Sequence, residues 1–399
     1  MDVTITEIGA VVVEALRAAG YKESTVGNYK KTVRVLVRYG EEHHTSHYTL
    51  DLGAGFASLT TSPRTGRFSA QRRFDYRRLV AVFDRYVLTG HVDLSVQKRG
   101  GGGCRPMSSE FGILDVAWEA DMADRDLALA TREAYGRLSR SYLGFLESRR
   151  IYCLDDADGE TVLSFLSPKW AKSSLFWVVS NFRPFLVFTG RDDLVLAVQL
   201  AGVKRSHSII EPLGDDVRHL VIAACASDIV CARNAAITLL ALSTGLRASD
   251  IVDLRLSDVD WRGKTISIVQ QKTHNPLTVP MTELLAVKLA DYVLYDRPKV
   301  SDDHLFLRHA APYVGLGDHA AIYKVTVGAF RTAGVADSKA GTRLLRHNAA
   351  SQMLRAGTPL PTISAVLGHA SEESTRQYMS VDENRLACCV LPMPEGARP

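Results

Sequence analysis

The stretch Lys98-Arg99-Gly100-Gly101-Gly102-Gly103-Cys104-Arg105-Pro106 constrains this chain more than any other, because four consecutive glycines bounded by charge and a proline sustain neither helix nor strand. That is the composition of a flexible tether, so folded units are expected on either side of it. A phosphate-cradling loop would need a Gly-Lys-Ser/Thr ending to reach phosphate and Mg²⁺, and none follows. At roughly 100–200 residues per domain, a chain of 399 residues holds two or three domains. The texture sets a helical domain over 1–97, the tether at 98–106, a second helical domain over 107–205 and a mixed domain over 210–399.

Hydrophobic residues make up 46% and charged residues 23%, ordinary globular usage that excludes a wholly disordered, collagen-like or coiled-coil chain. The net charge of +4 does not by itself announce a nucleic-acid binder, but its distribution is uneven. Residues 1–106 carry 16 Lys/Arg against 10 Asp/Glu, a local +6, which leaves the remainder at −2. A polyanion should meet the N-terminal third first. Cysteines 104, 153, 225, 231, 388 and 389 show neither a paired framework nor CxxC spacing, so a reducing cytosol fits. The N-terminus has no basic run before its apolar stretch, and no segment approaches 18 uninterrupted apolar residues. An unexported, cytoplasmic protein with no membrane partner is expected.

On either side of the tether, Thr25-x-x-x-Tyr29 is followed ten residues later by Tyr39, and Thr131-x-x-x-Tyr135 by Phe145, a short internal repeat in helix-patterned sequence. Capped amphipathic helices that bury aromatics would give the same match. Arg64, Arg67, Arg72, Arg73, Arg77, Arg78 and Arg85 lie among Phe68, Phe74, Tyr76, Phe83 and Tyr86, a mixture that suits a phosphate backbone or simply a solvated helix face. Trp170, Phe176, Trp177, Phe182, Phe185 and Phe188 have core-like spacing and read as packing. From about residue 212 a long apolar helix is expected over His219 to Leu242. Thr265 to Val269 then alternates at period two, Thr273-His274-Asn275-Pro276 turns, and Leu277 to Pro280 returns as a hairpin. Gly341, Gly357 and Pro359 break the helices that follow.

Four segments of this last domain carry chemistry: STGLRASDIVDL at 243–254, QQKTHNPLTVP at 270–280, RLLRHNAASQMLRAG at 343–357 and LGHASEESTRQY at 367–378. In that order they resemble the tyrosine recombinase, or phage integrase, family, Xer-like enzymes among them, over about 170 C-terminal residues and more loosely over the helical segment before. The resemblance implies a mainly α protein with a small antiparallel β-sheet, a helical core-binding domain and a mixed catalytic domain. It assigns Arg247 as first catalytic arginine with Asp250 orienting it, Lys272 as the hairpin lysine, Arg346 as second arginine, His369 as the histidine of Leu-Gly-His and Tyr378 as nucleophile. Taken without it, Arg247 and Asp250 would be a surface salt bridge, Tyr378 a core residue and Lys272 a solvated turn residue.

The residue types suit the reaction. A pentacoordinate phosphorane gains charge on its non-bridging oxygens, which two guanidinium forks match bidentately and lysine cannot. Thr244-Gly245-Leu246 aims a new helix start at the same place, which favours an anion there. A tyrosine hydroxyl titrates near pH 10 and needs a cationic surround to act as nucleophile. The leaving 5′-oxygen needs a proton, and an ammonium on a flexible stem can give it, the role of Lys272. Attack by Tyr378 would form a 3′-phosphotyrosyl link, an ester exchange that needs neither nucleotide cofactor nor metal. No two-metal carboxylate set or zinc pattern is present in the sequence. His43, His44 and His47 fall at helical spacing without a Glu to complete a metal motif.

One position departs from the family. Arg343 stands where the histidine of His-x-x-Arg is expected, and a guanidinium, always protonated, cannot be a general base. Arg343 is expected to add a third contact to phosphate or tyrosinate, while a substrate oxygen, water or His369 takes the proton. The alternative is that the substitution weakens catalysis and marks a slow or partner-dependent enzyme. His347 is expected to pack or hydrogen-bond behind the site. The apolar tail around Leu386, Cys388, Cys389, Val390 and Leu391 would dock on a neighbouring protomer or pack locally. The partners implied are double-stranded DNA, a homo-tetramer on paired sites, and other recombinases or a directionality factor, in integration, excision or transposition of a mobile element. Two rivals stay open: a catalytically weak accessory subunit acting with other recombinases, and a type IB topoisomerase-like relaxation of DNA.

Overall fold

The computed structural model describes residues 3–95, 105–106, 108–167, 170–203, 212–335 and 341–368, so most of the expected tether, His369, Tyr378 and the apolar tail lie outside the described residues. Contacts gather the chain into two units, one of Met1–Ser95 with Ile209–Pro399 and one of Val96–Ser208. The fold is mainly α with one small antiparallel sheet.

The first 95 residues form α1 (Ile5–Ala18), α2 (Glu23–Glu42), α3 (Leu50–Ser58) and α4 (Ala70–Thr89) around a core of their own. Thr4 and Glu7 cap α1 reciprocally, the Glu7 N–H donating to Thr4 Oγ1 at 3.2 Å and the Thr4 N–H to the Glu7 carboxylate at 2.9 Å. Ile5, Ile8, Val12 and Leu16 then recur on one face and are buried against Tyr29, Leu36, Phe56 and Phe83. The histidine spacing does not survive: α2 stops at Glu42, His43 is its C-cap and His44 has φ +56°, so His43, His44 and His47 do not share a helix face.

The second unit is a five-helix module of α5 (Ser109–Asp124), α6 (Leu129–Ser148), α7 (Gly159–Leu166), α8 (Lys172–Phe188) and α9 (Asp192–Leu200). Trp118, Tyr142, Phe165, Phe182 and Phe185 fill its core, and a buried Arg140–Asp115 pair at 3.1 Å ties α6 to α5. Two aromatics expected to pack do not, since Phe176 and Trp177 stand 38% and 45% exposed on α8 while Phe182 and Phe185 on its other face are fully buried. Thr25 and Thr131 are each the third residue of a 20-residue helix, α2 and α6, so the short repeat falls in register in the two modules and neither threonine is a cap.

In the remaining segment the single helix expected over His219 to Leu242 is two, α10 (Asp215–Ala226) and α11 (Ala232–Thr244). Ser227 ends the first, its hydroxyl folding back to the Ala224 carbonyl at 2.9 Å, and continuous apolar composition hid the break. Almost every side chain of α11 is buried, because α13 (Glu283–Asp291), α14 (His319–Thr332) and α15 (Thr342–Arg355) all pack on it. After α11 come α12 (Ala248–Asp253) and three strands in the order β1 (Val259–Asp260), β2 (Thr265–Val269), β3 (Pro276–Pro280). The hairpin pairs Thr265 with Pro280 and Val269 with Pro276. The short β1 strand had no legible signal at two residues. α16 (Leu360–Leu367) follows Gly357 and Pro359. Among the described residues no helix is long and apolar enough to cross a membrane.

Candidate active site

The site is built where α11 ends. Gly245 takes φ +65°, a left-handed cap, and a Cβ there would lie 3.0 Å from both Ala349 and Leu367, so only glycine lets α15 and α16 approach this turn. The reversal leaves Arg247 as N-cap of α12, half-buried, with its guanidinium donating to the Gly368 carbonyl. Arg346, reaching in from α15, donates through Nη1 to the Gly245 carbonyl at 2.9 Å and through Nη2 to the Leu367 carbonyl. Two arginines 99 residues apart in sequence are therefore held on consecutive carbonyls at the C-terminal end of α16, where free carbonyls and the helix dipole favour cations. The next residue in the chain is His369.

Lys272 sits exposed in the turn between β2 and β3. Asp250 differs from expectation. It is 3% exposed, and its Oδ1 accepts the Gln271 N–H at 3.0 Å; it makes no ion pair with Arg247. The carboxylate orients the lysine turn, not the arginine, because α12 directs its third residue toward the hairpin. Gln270, absent from the sequence reading, is 1% exposed and accepts the Thr273 hydroxyl at 2.8 Å. Asn348 is also fully buried beside Arg346 and His347 in sequence, and Gly368, the glycine of Leu-Gly-His, has φ +62°. Residue type alone could not raise these above ordinary polar residues.

Arg343 lies exposed in the first turn of α15, one turn before Arg346, with no ion pair among the described residues. His347 is 6% exposed; burial first, and then the charges of Arg343 and Arg346, push its imidazole down to about 4. It is neutral at physiological pH.

The N-terminal arginines are split. Arg72 lies over Tyr76 at 4.8 Å and donates to the Thr61 carbonyl at 2.9 Å, and Arg78 lies over Tyr29 at 4.3 Å. Both serve packing. Arg64, Arg67, Arg73 and Arg77 are exposed, Arg73 resting on Phe68. The sequence reading missed a second basic feature, Lys31, Arg34 and Arg38, which form one exposed stripe on α2. Their 3- and 4-residue steps, with no acid between Glu23 and Glu41, are the signal that could have found them.

Among the described residues the grouping with metal-ligand atoms in reach is Asp302, Asp303 and His304. Its oxygens are engaged: Asp302 accepts from the His304 N–H at 2.9 Å and the Gly315 N–H at 3.1 Å, and Asp303 pairs with Arg255. Its hydrogen bonds brace the loop that carries it.

Comparison with known proteins bears on the same segment. The phage integrase family profile matches residues 211–385. A putative integrase/recombinase of Sinorhizobium fredii, y4rF, is 33% identical over 223 residues, 55% of this chain and 52% of the relative, so the chain spans about half of that protein. Tyrosine recombinase XerC of Rhizobium meliloti is 30% identical over 288 residues, 67% of this chain and 89% of the relative. Among solved structures, the Tn1549 transposon integrase in complex with a circular intermediate DNA matches in fold, with a TM-score of 0.53 at 14% identity over 69% of this chain and 99% of that one.

Proposed function

The chain belongs to the phage integrase family, the tyrosine recombinases, whose reaction is DNA strand cleavage and religation, and we propose that it is a site-specific recombinase that cleaves duplex DNA through Tyr378 for the integration, excision or transposition of a mobile element. The observation that carries the reading is the convergence of Arg247 and Arg346 on the Leu367 and Gly368 carbonyls, immediately before His369 and beside the Lys272 turn. Two guanidinium groups anchored on neighbouring carbonyls are held close to one place, where a phosphate would meet both charges.

In the proposed step the Tyr378 oxygen bonds to phosphorus as the bond to the 5′-oxygen breaks. Lys272 gives its proton to the departing oxygen, and the tyrosyl proton passes to a substrate oxygen, water or His369. His347, neutral and buried, keeps a third charge from forming behind the arginines. Arg343, one turn out on α15, supplies an outer contact to phosphate. Religation is the same exchange reversed, which conserves ester energy and calls for no nucleotide cofactor. Paired cleavage on two sites implies a tetramer, and action on chromosomal DNA implies the cytoplasm.

The test uses nicked suicide duplexes bearing the ends of the element that encodes this gene, incubated with wild-type and Tyr378→Phe protein without metal or ATP. A protease-sensitive covalent complex formed by wild type alone is the expected result, with Arg343→His preserving or raising its yield. A specific mobility shift without any covalent complex would instead support an accessory subunit, and relaxation of supercoils by a monomer without paired sites would support topoisomerase-like action.

A further inference from the structure

We infer that Gln270 is a positioning residue for Lys272, holding the lysine turn in register with the backbone that carries the two arginines. The inference rests on the proposed role of Lys272 as the acid for the leaving 5′-oxygen. Gln270 stands at the neck of the turn: its N–H donates to the Asn275 carbonyl at 2.9 Å and its own carbonyl accepts from the His274 N–H at 2.8 Å. Its side chain then spans two parts of the site. Oε1 accepts from the Thr273 hydroxyl, the residue directly after Lys272. The same amide packs against the Cα of Gly368, so that any Cβ there would overlap it, and Gly368 is the residue whose carbonyl takes Arg247. Asp250 holds Gln271 on the other side of the lysine. Lys272 is thus fixed at both neighbours, by a carboxylate before it and by the Gln270 amide after it.

The reason such an anchor matters is geometric. Lys272 is exposed in the six-residue connection between β2 and β3, and a proton donor works only within hydrogen-bond reach of its target. Gln270 is buried and uncharged, and its side chain is engaged by Thr273 and Gly368, so its effect is expected through the placement of Lys272 and not through the phosphate.

The test separates these by changing the leaving group. Single-turnover cleavage by the full-length protein is measured on the duplex that wild type cleaves, first with its natural 5′-bridging oxygen and then with sulfur in that position. Oxygen leaves with the proton from Lys272, which becomes a neutral amine; sulfur leaves as a thiolate, a weaker base that needs no proton. Gln270→Ala and Thr273→Val are each expected to slow cleavage by roughly 10²-fold with oxygen and by less than about 3-fold with sulfur, while Thr273→Ser restores the rate. Equal losses with both leaving groups would overturn the inference. Thr273 is half-exposed, so Thr273→Val decides the matter even if Gln270→Ala does not fold. Should Lys272→Ala itself lose equally on both substrates, the acid role falls and the inference with it; should wild type form no covalent product on either, it is the functional reading that fails.

Discussion

At His347 burial and two neighbouring guanidiniums act in one direction. All three disfavour the imidazolium, so the folded protein holds this side chain near 4 while an unfolded histidine titrates near its ordinary 6.5. Between those values the unfolded chain binds the extra proton, so stability rises with pH across the window, is fully present above about 6.5 and is lost as pH falls toward 4. From pH 7.5 to pH 5 the wild type should lose ~2 kcal/mol more than His347→Asn in urea unfolding, at about 1.4 kcal/mol per pKa unit. Parallel pH profiles for the two proteins would remove the buried imidazole as the cause. The same lowering makes His347 too weak a base to take a proton from tyrosine, although it neighbours Arg346 in sequence. Arg343 cannot accept one either, for the opposite reason.

At the scale of elements, the hairpin β2–β3 is anchored in the core by Ile266 and Val279, and its connecting turn is held by Asp250. The carboxylate reaches across from α12 to the Gln271 N–H, so α12 connects the arginine at its own N-cap to the lysine in the turn. Asp250→Ala should reduce cleavage by roughly 10- to 100-fold with DNA affinity within about 2-fold of wild type, because misplacing one reacting group is costly while phosphate contacts elsewhere persist. Asp250→Asn, which keeps an acceptor oxygen, should recover most of the rate. A matching loss of affinity in a mobility-shift titration would show instead that Asp250 shapes the binding surface. The break between α10 and α11 is of the same scale: α11 is enclosed on nearly every side, so its apolar run continues into its neighbour's and periodicity cannot mark where one ends.

For the whole molecule, charge is distributed by domain: residues 1–106 carry +6 and the rest −2. The free part of that charge includes the α2 stripe, whereas Arg72 and Arg78 are spent on aromatic faces. Replacing Lys31, Arg34 and Arg38 together with alanine should therefore weaken DNA binding and flatten its dependence on salt by about two to three units of log–log slope, each lost phosphate contact counting about 0.9. Arg78→Leu should leave that slope alone and change thermal stability. An unaltered slope in the triple variant would mean the stripe faces solvent in the complex.

What the sequence by itself determined was whatever is local or carried by ordered motifs: the helices on either side of the glycine run, the β2–β3 hairpin from its period-two alternation, and the residues Arg247, Lys272 and Arg346 from the segments that hold them. The expectations for His369 and Tyr378 come from the same ordered motifs and fall outside the described residues. Only the tertiary structure decided what each polar group faces. Asp250 could as well have paired with Arg247, three residues away, as with a backbone N–H 21 residues on, and composition gives no preference. Gln270 carried no reading of its own and Arg78 suited a phosphate backbone or a solvated helix face, until packing buried one against Gly368 and laid the other on Tyr29. A buried polar group must find a partner or a close-packed neighbour, and which one it finds is set by elements brought together from far apart in the chain.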